Sequence, residues 1–304
     1  MAQNLRDIRN RIRGIRNIGQ VTRAMDMVAS ARLRRAQMRA QAARPYARRI
    51  QEILQEVATA APGFNQHPLL RTRNVHTSCV VVFTSDKGLC GGFNSNVLDK
   101  AEKLANSLDA PEHRFVVIGR KGVLHFRAEG VHVDKTFPGP GKEPNVQEIG
   151  DITRFLISSY LNQTYDEIHL VFTSFLSAMR SEPVSLKLIP LGSLEQAAAR
   201  EEDGEKGREE SSESRKQIDF IFEPSVEQLA DYLLPLYVEV LINRALLDSS
   251  ASEHAARMVA MRNATENSEE LIKQLSKTYN RVRQGSITKE ILEVVSGAEA
   301  FQHH

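Results

Sequence analysis

From Leu5 onward, apolar side chains recur at Ile8, Ile12, Ile15, Ile18, Val21, Met25 and Val28. Steps of three and four mark one apolar stripe on an α-helix. The steps from Ile12 through Val21 are three consecutive threes, a stammer that overwinds a coiled coil locally. Alanines and arginines carry the helix on past Arg32 to a stop at Pro62-Gly63, with Pro45 the expected point of bending. About 57 helical residues would extend roughly 85 Å.

The C-terminal third repeats the pattern with a cleaner register. From Leu229 to Val282, steps of four and three run through sixteen seam positions, among them Leu233, Val240, Leu247, Met258, Met261, Ile272, Leu275 and Tyr279. That is the signature of a coiled-coil strand. Asn243, His254, Thr265 and Ser268 also fall on the seam, so stability is not the only demand on it. His254 is expected to fill a packing position. Pro235 is expected to bend the start of this helix and Gly285 to weaken its end, and a last helical segment from Ser286 to Ser296 is expected to close at Gly297.

Between the two helices the texture changes. SCVVVFTS, RFVVIG, VHVDKTF and EIHLVFTSF read as strands, and the stretches beginning at Ser95, Lys121 and Asn145 as helices. Alternation of this kind predicts a βαβ sheet whose first strand is buried on both faces. VSLKLIPL and IDFIF add candidate strands. The fold class is therefore α/β, with long N- and C-terminal helices pairing as a coiled coil around a central Rossmann-like domain. The expected boundaries are 1–62 for the first helix, 63–222 for the central domain and 223–304 for the second helix. Within the middle part, 193–217 is so charged and so poor in large apolar residues that a solvated, disordered loop is expected. PGPGKEPN at 138–145 predicts a shorter loop.

Charge alters the picture of the first helix. Thirteen arginines and no lysine, against Asp7 and Asp26, give residues 1–50 a net +11, so the remainder carries −9 of the overall +2. A basic arm before an acidic body points to an anionic partner surface or to a solvated arginine face. The arginine-rich start also fits a mitochondrial transit peptide, but the helical pattern runs unbroken well past residue 40. Cys79 and Cys90 are the only cysteines and form no CxxC pair, which indicates neither a disulfide framework nor a zinc site. No apolar run approaches the roughly 20 residues that span a bilayer, so membrane association is expected to be peripheral.

Candidate chemistry is sparse. SDKGLCGGFN at 85–94 joins a buried strand to a helix, where glycine-rich loops cradle phosphate, yet it matches neither GxGxxG nor GxxxxGK followed by serine or threonine. The nine histidines form no HExxH, and no GxSxG elbow marks a nucleophile. No catalytic, cofactor-binding or metal-ligating residue is assigned, and no cofactor is expected.

TRAMDMVASARLRRAQ near the start, SDKGLCGGFN in the middle, and SEHAARMVAMRNATEN with YNRVRQGSITKEILEVVSGAEA at the end resemble the gamma subunit of rotary, F-type ATP synthases. The resemblance runs from Leu5 to Ala300. It implies an antiparallel coiled coil standing inside a ring of three alpha and three beta subunits. The central domain then sits beside the epsilon subunit and the c-subunit ring, and the chain is a non-catalytic rotor shaft coupling ion flow to ATP synthesis or hydrolysis. With no convincing transit peptide, a peripheral position on the cytoplasmic face of a bacterial inner membrane is expected.

Carried over by position, Met25 resembles a residue facing the moving lever of a beta subunit, and Arg257, Arg283, Gln284 and Thr288 resemble contacts to beta-subunit loops. Arg44, Tyr46, Phe220 and Glu223 fall in segments near the c-ring and epsilon. The chain has Gly285 where the family usually has alanine, which bears on local rigidity. The loop at 193–217 lies where photosynthetic relatives carry a cysteine-bearing insert, and without a cysteine no thiol control of that kind is expected. Two other functions stay open from the residues alone: a nucleic-acid-binding coiled-coil protein, suggested by the basic arm, and a nucleotide-binding α/β enzyme using the 85–94 loop. The arginines lack interleaved aromatics and a reading motif, which disfavours the first.

Overall fold

The apolar run at 77–83 forms strand β1 (Thr77–Phe83), buried from Ser78 to Phe83 on both faces, as a central parallel strand must be. The computed structural model describes residues 2–60, 64, 66–139, 145–191 and 225–302. Along the chain the elements are α1 (Ala2–Ala60), β1, α2 (Phe93–Ser107), β2 (Glu112–Ile118), α3 (Arg120–Ala128), β3 (Val133–Phe137), α4 (Val146–Leu161), β4 (Glu167–Phe175), β5 (Ser181–Ile189) and α5 (Val226–Gln302). The expected strand IDFIF, the segment 193–217, the Pro62-Gly63 stop and most of PGPGKEPN lie outside the described residues. Two compact units emerge: unit 1, Met1–Ala31 with Arg257–His304, and unit 2, Arg32–Ala256.

In unit 2 the five strands lie in the order β3-β2-β1-β4-β5. β1 pairs in parallel with β2 and β4, β2 pairs in parallel with β3, and β5 closes the edge antiparallel to β4. Alternation along β1 and β4 sends side chains to two cores. On one face Val81, Phe83, Leu170 and Phe172 meet α4 (Ile152, Leu156), the last turns of the first helix (Ile50, Leu54, Val57) and the first third of the last helix (Leu234, Val238, Ile242, Leu246). On the other, Val80, Val82, Phe115 and Val117 pack on α2 (Val97, Leu98, Ala101) and on Phe126 of α3. The long helices are thus layers of the sheet domain over part of their length. This explains why burial on α5 between Leu233 and Met258 runs nearly all the way round the helix instead of along a narrow seam.

In unit 1, α1 and α5 run antiparallel. Arg9 donates to the Tyr279 hydroxyl (2.6 Å), the Thr22 and Thr265 hydroxyls lie 2.7 Å apart, and the Ser30 hydroxyl donates to Met258 Sδ (3.3 Å). Here the structure corrects the sequence reading of the first helix. After Ile12 and Ile15 the inward positions are Gly19, Thr22, Asp26, Ala29, Leu33 and Ala36, an unbroken alternation of four and three with no stammer. Ile18, Val21 and Val28 are 57%, 58% and 52% exposed. The apparent stammer was two stripes read as one. The seam passes into small and polar residues because the backbones approach closely: a Cβ on Gly19 would already touch Ser268 Cβ at 3.4 Å. The second helix also departs from expectation, continuing through Gly285 and Gly297 to Gln302 instead of closing at Gly297.

Candidate functional site

The helix pair of unit 1 is closed by polar contacts that exchange readily with water. Besides the threonine and serine contacts, Arg23 pairs with Glu269 and Arg262 Nε lies 3.9 Å from Asp26. Both members of the Arg23–Glu269 pair are largely exposed, so it contributes at most about 1 kcal/mol. Outside this seam lies a ridge absent from the sequence reading as a distinct feature. Ile18, Val21, Met25 and Val28 each sit one residue before a seam position, turned about 100° round the helix. Met25 is half-buried at the edge of the seam and the other three are open to solvent.

At the far end, the contacting pairs Arg9/Tyr279, Thr22/Thr265 and Ser30/Met258 place the start of α1 opposite residues near 286 of α5. The last helix therefore overhangs its partner by about 16 residues, roughly 24 Å. On that overhang Ile287, Ile291, Leu292, Val294 and Val295 are exposed. The signal that could have revealed both apolar surfaces is the heptad register itself, continued through glycine, threonine and aspartate instead of being forced onto the nearest apolar residue.

The residues singled out from sequence fall in different settings. Arg283, Gln284 and Thr288 are exposed on α5, with Thr288 Oγ1 donating to the Gln284 carbonyl at 2.9 Å. Arg257 is buried at 8% exposure. Arg44 and Tyr46 are exposed on the part of α1 in unit 2. Phe220 and Glu223 lie outside the described residues.

Arg44 also acts within unit 2, because it and Arg244 stabilise the Asp248 carboxylate against a larger opposing effect. Burial pushes the Asp248 carboxyl up to about 6 from its ordinary value near 3.8. The native state then holds this proton to a higher pH than the unfolded chain does. Its contribution is favourable below the ordinary aspartate range and is lost as pH rises through about 6. Asp248→Asn should therefore stabilise the protein above pH 6, by about 1–3 kcal/mol at pH 7, with the gain vanishing toward pH 4. Denaturant titrations at those two pH values check this.

The 85–94 loop is stitched into the fold. The Ser85 amide donates to Asn94 Oδ1 (2.9 Å) and its hydroxyl to the Lys87 carbonyl (2.7 Å). Asp86 Oδ1 accepts from the amides of Arg120 (3.0 Å) and Gly139 (3.3 Å). Its polar groups tie β1, α2, α3 and the tail of β3 together, which accounts for the motif structurally. Among the described residues no cluster of histidine, cysteine and carboxylate could hold a metal ion, and no helix is long and apolar enough to cross a membrane.

A family model described as ATP synthase matches residues 4–301. Curated relatives named ATP synthase gamma chain include those of Desulforamulus reducens, 40% identical over 299 residues, and Heliobacterium modesticaldum, 42% over 297; each alignment covers 98% of this chain and 99% of the relative. A relative of the same name from Nostoc sp. is 41% identical over 312 residues. Among solved structures, the central stalk and c-ring of Tetrahymena thermophila mitochondrial ATP synthase aligns with TM-score 0.60 and 24% identity, covering 80% of this chain and 99% of that one. The rotor of Euglena gracilis mitochondrial ATP synthase aligns with TM-score 0.62 and 16% identity, covering 94% and 100%. At those identities the structural likeness speaks to the fold.

Proposed function

Because this chain belongs to the ATP synthase family, among its gamma chains, we propose that it works as the central rotor shaft inside three alpha and three beta subunits, standing on epsilon and a c-subunit ring. It is a non-catalytic subunit; the bond chemistry belongs to the beta subunits. The observation that carries this reading is the construction of unit 1. A pair closed by small and polar residues leaves one face apolar (Ile18, Val21, Val28), another rich in arginine, and an overhanging apolar end. A shaft that presents different faces in turn to three equivalent partners needs such inequality.

In this reading Met25 meets the moving lever of a beta subunit and Arg283, Gln284 and Thr288 meet beta-subunit loops. Arg257 presents the least surface of the five, so its contribution is expected to be the smallest. Arg44 and Tyr46, with Phe220 and Glu223, face the c-ring and epsilon. The complex sits on the cytoplasmic face of a bacterial inner membrane, and this chain is peripheral to it. Charged hydrogen bonds at a wet interface suit contacts that form and break with each turn.

The test is alanine at both Arg283 and Gln284 in the assembled complex. ATP-driven proton pumping is expected to fall by about three- to tenfold. Thermal unfolding should stay nearly unchanged, since exposed positions of this kind cost within about 0.5 kcal/mol. Unchanged pumping, or a loss matched by unfolding, removes these residues from the torque path.

A further inference from the structure

A groove of about 770 Å³ runs between α4 and α5 on the body of unit 2. Its floor is apolar, from Phe155, Ile157 and Leu236, and its rims carry Leu161 and Tyr232, which stand 49% and 70% exposed. Two features on opposite walls cost helix stability. Gly150 lies inside α4, where glycine is about 1 kcal/mol worse than alanine, yet a Cβ there would meet only Arg154 Nη1, at 3.6 Å. Pro235 lies inside α5 and has no N–H for the Asp231 carbonyl four residues back. One wall is thus stripped for close approach, and the other lacks a helical donor to one of its carbonyls.

Charge narrows the choice of occupant. Asp231, which also meets His67 Nε2 at 3.1 Å but keeps most of its side chain in solvent, and Glu239 stand two turns apart along the α5 wall. The arginine on the opposite wall, Arg154, is already paired with Asp151. The lip is therefore net acidic over an apolar floor, with an exposed aromatic at its edge, an arrangement that fits a helix bearing lysine or arginine beside an apolar stripe. We propose that this groove docks a basic amphipathic helix of a partner protein, its backbone passing over Gly150 and its cations meeting Asp231 and Glu239. The inference concerns unit 2 and stands whether or not the helix pair of unit 1 transmits torque.

The experiment places a benzophenone photo-crosslinking amino acid at Tyr232 in the full-length chain within its native assembly, and maps the cross-linked peptides by mass spectrometry. The expected product joins Tyr232 to a helical segment of another protein with lysine or arginine flanking an apolar face. Its yield should fall about fivefold or more in Gly150→Leu, by steric blockage, and in Glu239→Lys, by charge reversal, while the same probe at exposed Leu124 on α3 is unaffected. Gly150→Leu should leave thermal unfolding unchanged or raised, because it improves helix propensity. The proposal is overturned by a cross-link to residues 192–224 of this chain, to a second copy, or to a segment without basic residues. It is overturned equally by no cross-link above the Leu124 control, or by a yield that neither variant moves.

Discussion

Gly119→Ala is expected to destabilise unit 2 by more than about 4 kcal/mol, beyond the usual range of single substitutions. Gly119 links β2 to α3 with φ 96° and ψ 141°, a backbone region that side-chain-bearing residues avoid. Its amide donates to the Phe137 carbonyl at 2.9 Å, fixing it to the end of β3. A Cβ at this position would lie 2.1 Å from the Thr84 carbonyl oxygen. Thr84 cannot retreat easily: its amide donates to the Ile118 carbonyl at 2.8 Å, and its hydroxyl accepts from the Gly122 amide at 2.9 Å. The clash is a Cβ against a backbone carbonyl at the ends of two central strands, so relief requires those strands to part. Gly130 supplies the control. Its φ is also positive, at 71°, but a Cβ there meets nothing within 4 Å, so Gly130→Ala should cost only the intrinsic penalty of about 1–2 kcal/mol. Denaturant unfolding of the two variants separates the contributions; equal losses would mean that the close approach of Thr84 does not exist in solution.

The sheet was legible in the sequence because its central strands are continuous apolar runs bounded by polar turns, and those runs are the strands found. The C-terminal seam was legible from Met258 onward, where apolar and small residues alternate with exposed charges. Between Leu233 and Met258 the heptad description captured too little, since Leu234, Val238, Ile242, Ala245 and Leu246 lie off the seam yet belong to the core of unit 2. Periodicity reports one apolar stripe, and a helix clasped on several sides has more than one. The N-terminal helix failed in the opposite sense. Its true seam holds Gly19, Thr22 and Asp26, and the neighbouring Ile18, Val21 and Val28 face solvent. A pattern rule that sends every apolar residue inward follows the wrong stripe where a surface is kept apolar for a partner. The resemblance names candidate contact positions, but whether each is exposed, as Arg283 is, or buried, as Arg257 is, depends on packing that no local pattern encodes. The α4–α5 groove and the raised Asp248 carboxyl are likewise products of tertiary burial.

Ending the chain after Ala256 is expected to cut ATP-driven proton pumping by the assembled complex by about tenfold or more, while leaving unit 2 folded. A deletion of the last seventy or so residues would be a poor test. It would remove Tyr237, Val238, Ile242 and Leu246 from the core and confound loss of torque with loss of the domain. The cut after Ala256 keeps every one of those residues, together with Ser249 and Ser252, which bond to Thr173 on β4. What it removes is the α5 half of unit 1, from Arg257 on. The remaining α1 segment then loses Tyr279, Thr265 and Met258 as partners for Arg9, Thr22 and Ser30. Since most helical stability in proteins comes from tertiary packing, that segment should lose much of its helicity, a decrease that circular dichroism can read. Hydrolysis of ATP, a reaction of the beta subunits, should persist without driving ions across the membrane. Unit 2 should unfold at nearly the denaturant concentration of the full chain, which distinguishes a missing shaft from a damaged body. If pumping remained fully coupled under those conditions, torque would have to pass through unit 2 alone, and the polar seam, the exposed ridge and the apolar overhang of unit 1 would need another explanation.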